Sequence, residues 1–208
     1  MDEPDVVAGY AAEAAELVPQ FEAICCAQVF TPVADLLPAA PGRVLDVGAG
    51  TGRTAARFAK QGHRVVAAEP VGAFVAAGRG LHPSPLITWI EDRLPELPLV
   101  RAMGERFDLI TLVGVWQHVR PEQRRAAMAT LAGLVAPGGR LIASLRHGPG
   151  APTRPCFACD PARTIASAQA EGLQLVRSRA AASVQQRNRD AGVTWTWLVF
   201  DKGQSSIH

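Results

Sequence analysis

Three glycines in five residues, Gly48, Gly50 and Gly52, follow directly on the apolar run Val44-Leu45-Asp46-Val47. With no Cβ in the way, such a loop lets the backbone come close to a ligand. A helical pattern opens at Arg53, so the free N–H groups and positive end of a helix point into the same space. At the end of the next apolar run stands an acid, Glu69, which can accept bonds from both hydroxyls of a ribose. Charge-assisted bonds of that kind are worth roughly 1.5–3 kcal/mol each. The spacing also separates cofactors. A dinucleotide site reads G-x-G-x-x-G/A, the last small residue letting helix and strand pack closely. Here the loop is G-x-G-x-G and the bulky Arg53 comes next. That fits a cofactor without a pyrophosphate better than NAD.

Other residues of chemical interest lie further along. Glu91 and Asp92 close the apolar run from Leu86 to Ile90. Acids at the carboxyl end of a strand stand where open α/β sheets bind ligands, and a pair of solvated loop acids is the plain alternative. His118 and His147 are the candidate general bases, needed only if a substrate keeps its proton at neutral pH. For His118 a structural bond to loop backbone is an equal reading. Trp116 and Arg146 are candidate ligand contacts beside those histidines. Tyr10 either faces a ligand or packs on a core. The cysteines occur as adjacent Cys25-Cys26 and as Cys156-Phe157-Ala158-Cys159. The adjacent pair makes a poor half of a zinc site, and the C-x-x-C lies too late in the chain for a thioredoxin-like pair. Free thiols in a reducing compartment are expected, and no metal cluster is evident.

Hydrophobic periodicity supplies the elements that must position these groups. Val44 to Val47 is short and β-branched enough for a buried strand. Arg53 to Gln61 carries Ala55, Phe58 and Ala59 at helical spacing, and Gly62 stops it. Arg64 to Ala68 is a second buried strand, which completes a parallel βαβ unit. The pattern continues with a helix from Val71 to Arg79 and strands at 86–90 and 107–113. A helix from Pro121 to Val135 follows, then the tight turn Ala136-Pro137-Gly138-Gly139 and a strand from Arg140 to Leu145. Residues 151–160 read as irregular, Thr164 to Glu171 as a helix, and Leu173 to Val176 as a strand. Residues 177–192 are polar and arginine-laden, and Thr194 to Phe200 alternates strongly as a last strand. At the start, residues 5–18 form one helical stripe that Pro19 ends. Helical stretches through Val29 and from Pro32 to Leu37 come next. The fold class is α/β: a Rossmann-like doubly wound sheet of about seven strands with N-terminal capping helices. One domain is expected over 1–208, with 1–40 as the cap and 41–208 as the α/β core.

The run Asp46-Val47-Gly48-Ala49-Gly50-Thr51-Gly52 resembles the first motif of the class I S-adenosylmethionine-dependent methyltransferases, and Glu69 resembles their ribose-binding acid. Phe107-Asp108, heading a strand whose loop ends in His118-Val119, is similar to their fourth motif. Pro137-Gly138-Gly139 before a strand is a further match. The resemblance covers roughly Arg43 to the C-terminus. It implies a mostly parallel sheet with an antiparallel last strand. It also implies that S-adenosyl-L-methionine is bound and S-adenosyl-L-homocysteine is the product. The cofactor-binding residues it implies are Asp46, Gly48, Ala49, Gly50, Gly52, Arg53, Glu69, Pro70, Asp92, Arg93, Leu94, Val115 and Trp116. In the family, an acid at the place of Asp92 (Glu91 is the close rival) receives the adenine amino group. N-terminal helices often lie over the cofactor as a lid, which makes Tyr10 a candidate substrate contact; Trp116, on the loop after the fourth strand, and Arg146, after the fifth, are the others, with His118 and His147 as candidate bases. Members that methylate base or glutamine amides carry N-P-P-[YFW] where this chain has Gly114-Val115-Trp116-Gln117. A small-molecule acceptor is therefore expected. The alternatives are an NAD(P)-dependent oxidoreductase, against which Arg53 argues, and a cofactor-binding protein without catalysis.

Composition adds bounds. Hydrophobic residues at 48% and charged residues at 19% describe an ordinary globular protein, and 208 residues suffice for a real core. A net charge of +2 gives no strong pull toward nucleic acid or membrane, and 6% aromatics write no stacking surface for single strands. No apolar run approaches the length of a membrane span. The start, Met1-Asp2-Glu3-Pro4-Asp5, is acidic where a signal peptide is basic, so a cytoplasmic protein is expected. Oligomeric state leaves no mark on the sequence.

Overall fold

The computed structural model describes residues 5–204, and the acidic start Met1–Pro4 lies outside the described residues. The strands are β1 (Arg43–Val47), β2 (Arg64–Ala68), β3 (Ile87–Ile90), β4 (Phe107–Val113), β5 (Val135–His147), β6 (Leu173–Ala182) and β7 (Thr194–Lys202). They form one sheet in the order β3-β2-β1-β4-β5-β7-β6. β1 to β5 run parallel, and β7 is antiparallel to both β5 and β6. This is the doubly wound, mostly parallel sheet that the sequence predicts. The strand order reverses between β1 and β4, and their carboxyl ends open the crevice where such sheets take ligands.

Both faces of the sheet are covered, which is why β1 and β2 are buried over four successive residues instead of alternating. One face packs Leu45, Ile110, Leu141, Leu145 and Phe200 against α7 (Arg124–Leu134) and α8 (Pro161–Ala170). The other packs Val44, Leu109, Ile142, Trp197 and Val199 against Phe58 of α4 (Arg53–Lys60) and Phe30. Ahead of β1 lie α1 (Val6–Ala12), α2 (Ala14–Glu22), α3 (Cys26–Val29) and a 3-10 helix, Thr31–Leu36. Leu17 of α2 joins Val71 and with Phe74 of α5 (Gly72–Leu81) forms a separate apolar cluster, with Tyr10 and Phe21 at its edge.

Several details depart from the sequence reading, most of them because a long-range contact overrides a local signal. Pro19 does not end the first helix. The break falls at Glu13, and Pro19 sits inside α2, whose burial of Leu17 holds the helix through the missing amide. The Pro137-Gly138-Gly139 stretch is not a turn ahead of a strand but part of β5, where Phe107 pairs with Val135 and the register shifts before Leu109 meets Arg140. β6 runs on to Ala182 because β7 supplies a full antiparallel partner. The helix expected at Thr164 starts earlier, at Pro161, since the Asp160 carboxylate accepts the amides of Ala162 and Arg163.

Candidate functional site

The carboxyl ends of β1 to β5 and the N-terminal helices enclose a cavity of about 1600 Å3. The glycine loop forms its floor, with Gly48, Gly50 and Gly52 all at positive φ. A Cβ on Gly48 would come 2.3 Å from Cγ2 of Val115, so only glycine lets the loop pass under the β4 loop. Gly52 has a different reason for being small. A Cβ there would stand 2.4 Å from the ring of Trp89, which also packs on Gly78 of α5. Close packing of helix and sheet is achieved through Trp89, although Arg53 occupies the place a dinucleotide motif keeps small.

Arg53 has a task of its own. Its guanidinium donates to the backbone carbonyls of Phe21 at 2.6 Å and Ile24 at 3.1 Å. The neighbouring Thr51 hydroxyl bonds the Glu22 carboxylate. The end of α2 is thereby tied to the first turn of α4, and the Phe21 ring lies over Gly50.

Two buried carboxyls stand at the loop. Glu69 accepts the Gly50 amide at 2.7 Å through Oε2 and the Val71 amide at 2.9 Å through Oε1. Burial, working against those two bonds, pushes its pKa up to about 7. Asp46 accepts the Thr111 hydroxyl at 2.7 Å through Oδ1, while its buried Oδ2 has no partner among the described residues. Burial raises its pKa to about 6, against the Thr111 hydroxyl, the Arg53 charge and the Ala55 amide in the first turn of α4. Two carboxyls kept from full ionisation by desolvation gain from any cation placed between them.

Asp92 lines the cavity and Glu91, exposed beside Gly72, does not. The Asp92 carboxylate accepts the amides of Arg93, Leu99 and Val100, each at 2.9 Å. It thereby caps α6 (Pro98–Ala102) and fixes the loop carrying Arg93 and Leu94.

On the opposite wall, His118 ends a short 3-10 turn after β4. Its Nδ1 lies 2.8 Å from the Pro155 carbonyl and its Nε2 2.9 Å from the Tyr10 hydroxyl. A carbonyl only accepts, so these partners assign the proton to Nδ1 and leave Nε2 to accept from Tyr10. Burial lowers the pKa of His118, which keeps the ring neutral. Burial likewise pushes the Tyr10 phenol up to about 12, with Arg154 opposing from 5.0 Å above its ring.

Asp46, Gly48, Ala49, Gly50, Arg53, Glu69, Pro70, Asp92, Arg93, Leu94, Val115, Tyr10, His118 and Arg146 all line this cavity. Gly52, Trp116 and His147 do not. Trp116 is 1% exposed and points into the core with Met128 and Leu131, because the turn after β4 aims Gln117 and His118 at the cavity and their neighbour inward. It walls neither adenine nor substrate. His147 follows Arg146 on β5 and so faces the other side of the strand, where it bonds Thr196 at 2.8 Å. Sequence reasoning missed Thr51, Gln117, Arg154, Cys156, Arg179 and Trp195, which also line the cavity. Alternation along the last two strands was the available signal for Arg179 and Trp195, but it needs the pairing register. The four cysteines are free thiols. Among the described residues no group of three or more His, Cys, Asp or Glu is placed to hold a metal, and no helix is long and apolar enough to cross a membrane.

Comparison with known proteins agrees with this fold. Residues 44–139 match the family model of a methyltransferase domain. Uncharacterized methyltransferases of Mycobacterium tuberculosis and Mycobacterium bovis are 34% identical over 106 residues, which cover 51% of this chain and 40% of each relative. The match thus spans less than half the length of those relatives. Among solved structures, the 1,6-didemethyltoxoflavin-N1-methyltransferase of Burkholderia thailandensis superposes with a TM-score of 0.71 at 22% identity, covering 98% of this chain and 92% of that one. That structure holds 1,6-didemethyltoxoflavin and S-adenosylhomocysteine. A TehB-like S-adenosylmethionine-dependent methyltransferase of Corynebacterium glutamicum gives 0.64 at 21% identity, covering 94% and 97%.

Proposed function

From a chain with the fold of the class I S-adenosylmethionine-dependent methyltransferases, we propose that it binds S-adenosyl-L-methionine and transfers its methyl group to a small-molecule acceptor. The single observation that carries this reading is the pairing of Glu69 with the Gly50 amide beside the unpartnered Asp46 Oδ2. A buried acceptor atom without a partner fits a ligand that brings a donor, and two desolvated carboxyls fit one that brings positive charge. Glu69 would take the ribose hydroxyls, and the loop Gly48–Gly50 the amino-acid end beside Asp46. Asp92, Arg93 and Leu94 would border the adenine, with Val115 on its other side. Asp92 retains lone pairs for the adenine amino group, since three amides do not exhaust a carboxylate.

The cofactor supplies an activated methyl, because its sulfonium leaves as a neutral thioether. The residues of the chain then have chiefly to align acceptor and methyl, an effect worth several kcal/mol. His118 is the base of this reading. An acceptor that bonds the Tyr10 oxygen can lose its proton to Tyr10 as the Tyr10 proton moves to His118 Nε2 over their 2.9 Å bond. The cavity, about 1600 Å3, exceeds an ordinary small-molecule site of roughly 300–1,000 Å3 and so leaves room for a second molecule beside a cofactor. Residues 41–208 would act as one α/β domain under the helical cap 1–40, in the cytoplasm, on a metabolite and not on nucleic acid.

Titration calorimetry with S-adenosyl-L-methionine and with NAD tests the cofactor. Tight binding of NAD with none of the sulfonium would overturn the reading in favour of an oxidoreductase. Incubation with labelled donor and a metabolite panel tests transfer, and binding without any labelled product would leave a sensor.

A further inference from the structure

The register of β5, β7 and β6 places three rows of side chains on the sheet face that meets the N-terminal helices. Ile142 pairs with Val199 and Val199 with Arg177; Ser144 with Trp197 and Trp197 with Arg179; Arg146 with Trp195 and Trp195 with Ala181. Paired residues share a face, so Arg177, Arg179 and Arg146 stand on one surface, row above row. Arg177 is engaged with the cap, gripping Asp35 at 2.5 and 2.8 Å. The two arginines nearer the carboxyl end of β5 are not so engaged. Arg146 bonds only the carbonyls of Gly148 and Pro149, and Arg179 makes no hydrogen bond or ion pair among the described residues, acting only at longer range on the Asp35 carboxylate that Arg177 holds. Both line the cavity, with the half-buried Trp195 between β5 and β6.

The carboxylates of this cavity are confined to one side, although Arg53 and Arg93 line that side too. Those carboxylates are Asp5, Asp46, Glu69, Asp92 and Glu96, all from the N-terminal cap or the β1 to β3 side. None comes from β5, β6 or β7. Arg154, on the loop after β5, also faces this end and is paired with Glu13 at 3.2 Å. The end that holds the carboxylates suits a cationic cofactor, and a second ligand meets, in Arg146 and Arg179, two guanidinium groups that no carboxylate bonds, beside an indole face.

We propose that the acceptor end of the cavity takes a small organic anion, its negative group received by Arg146 and Arg179 and its apolar body laid against Trp195. Guanidinium groups favour carboxylate and phosphate because their planar donors match two oxygens at once. This inference rests on the methyltransferase reading for its second ligand, and the test separates the two.

The probes are benzoate and its neutral isostere benzamide, titrated calorimetrically into the protein with S-adenosyl-L-homocysteine at saturation. Benzoate is expected to bind at least tenfold more tightly than benzamide. Arg146→Gln combined with Arg179→Gln is expected to weaken benzoate at least tenfold and to remove the preference. The comparison of the two probes on the unaltered protein stands even if the double variant does not fold. Equal binding of benzoate and benzamide, binding of neither, or a folded double variant that holds benzoate as well as the parent would each overturn the proposal. Failure of S-adenosyl-L-homocysteine itself to bind would instead strike the methyltransferase reading.

Discussion

Glu69 and Gly50 are joined by a 2.7 Å hydrogen bond from the loop amide to Oε2, so the acid ending one strand and the loop following its neighbour form one bonded unit. A ligand that takes the ribose position meets a carboxylate already oriented. Glu69→Ala is expected to weaken S-adenosyl-L-methionine binding by an order of magnitude or more, measured by titration calorimetry. An unchanged dissociation constant would remove Glu69 from the site.

The same carboxyl gives stability a pH dependence with a definite sign. Its folded pKa of about 7 lies above its ordinary 4.5, so the folded state holds a proton that the unfolded chain releases. Its contribution is complete below pH 4.5 and is lost as pH rises to about 7. Asp46, raised from 3.8 to about 6, acts in the same direction over a lower window. Glu69→Gln removes the first of these, so urea midpoints should show the parent losing stability relative to the variant between pH 5 and pH 8. A constant difference across that range would contradict it.

Glycine substitutions separate conformational need from mere presence. Gly48 sits at φ +67° and its Cβ would meet Val115 at 2.3 Å, so Gly48→Ala should cost about 2 kcal/mol or more. Gly133 is exposed on α7 with nothing within 4 Å, and Gly133→Ala should stabilise by about 0.5–1 kcal/mol. Equal effects in chemical denaturation would contradict the loop geometry.

Tyr10→Phe deletes the hydrogen bond to His118 and keeps the ring packing against Phe74 at 6.0 Å. The expected loss is about 1 kcal/mol in stability. If Tyr10 also carries the acceptor proton, turnover by the variant falls at least tenfold while donor affinity holds. Unaltered turnover would reduce Tyr10 to a packing residue.

The βαβ unit from Arg43 to Ala68 was legible because every signal in it is local: an apolar run, a helical stripe, glycines at the bends. The buried carboxyls were legible as types and positions, but their partners were not. That Asp92 caps the turn at Pro98, or that Trp116 turns inward while Gln117 and His118 face the cavity, depends on chain far from each. The limits of β5 and β6 escaped for the same reason, since a strand ends where its partner ends. Pro19 shows the converse, a strong local signal overruled by the burial of Leu17.

Arg53, the residue that spoils a dinucleotide fingerprint, holds the carbonyls of Phe21 and Ile24. The tail of the second helix and the first turn behind the glycines are consequently a single mechanical piece. Amide hydrogens in the two segments should exchange with deuterium in step and slow together when the nucleoside arrives, whichever of them it touches.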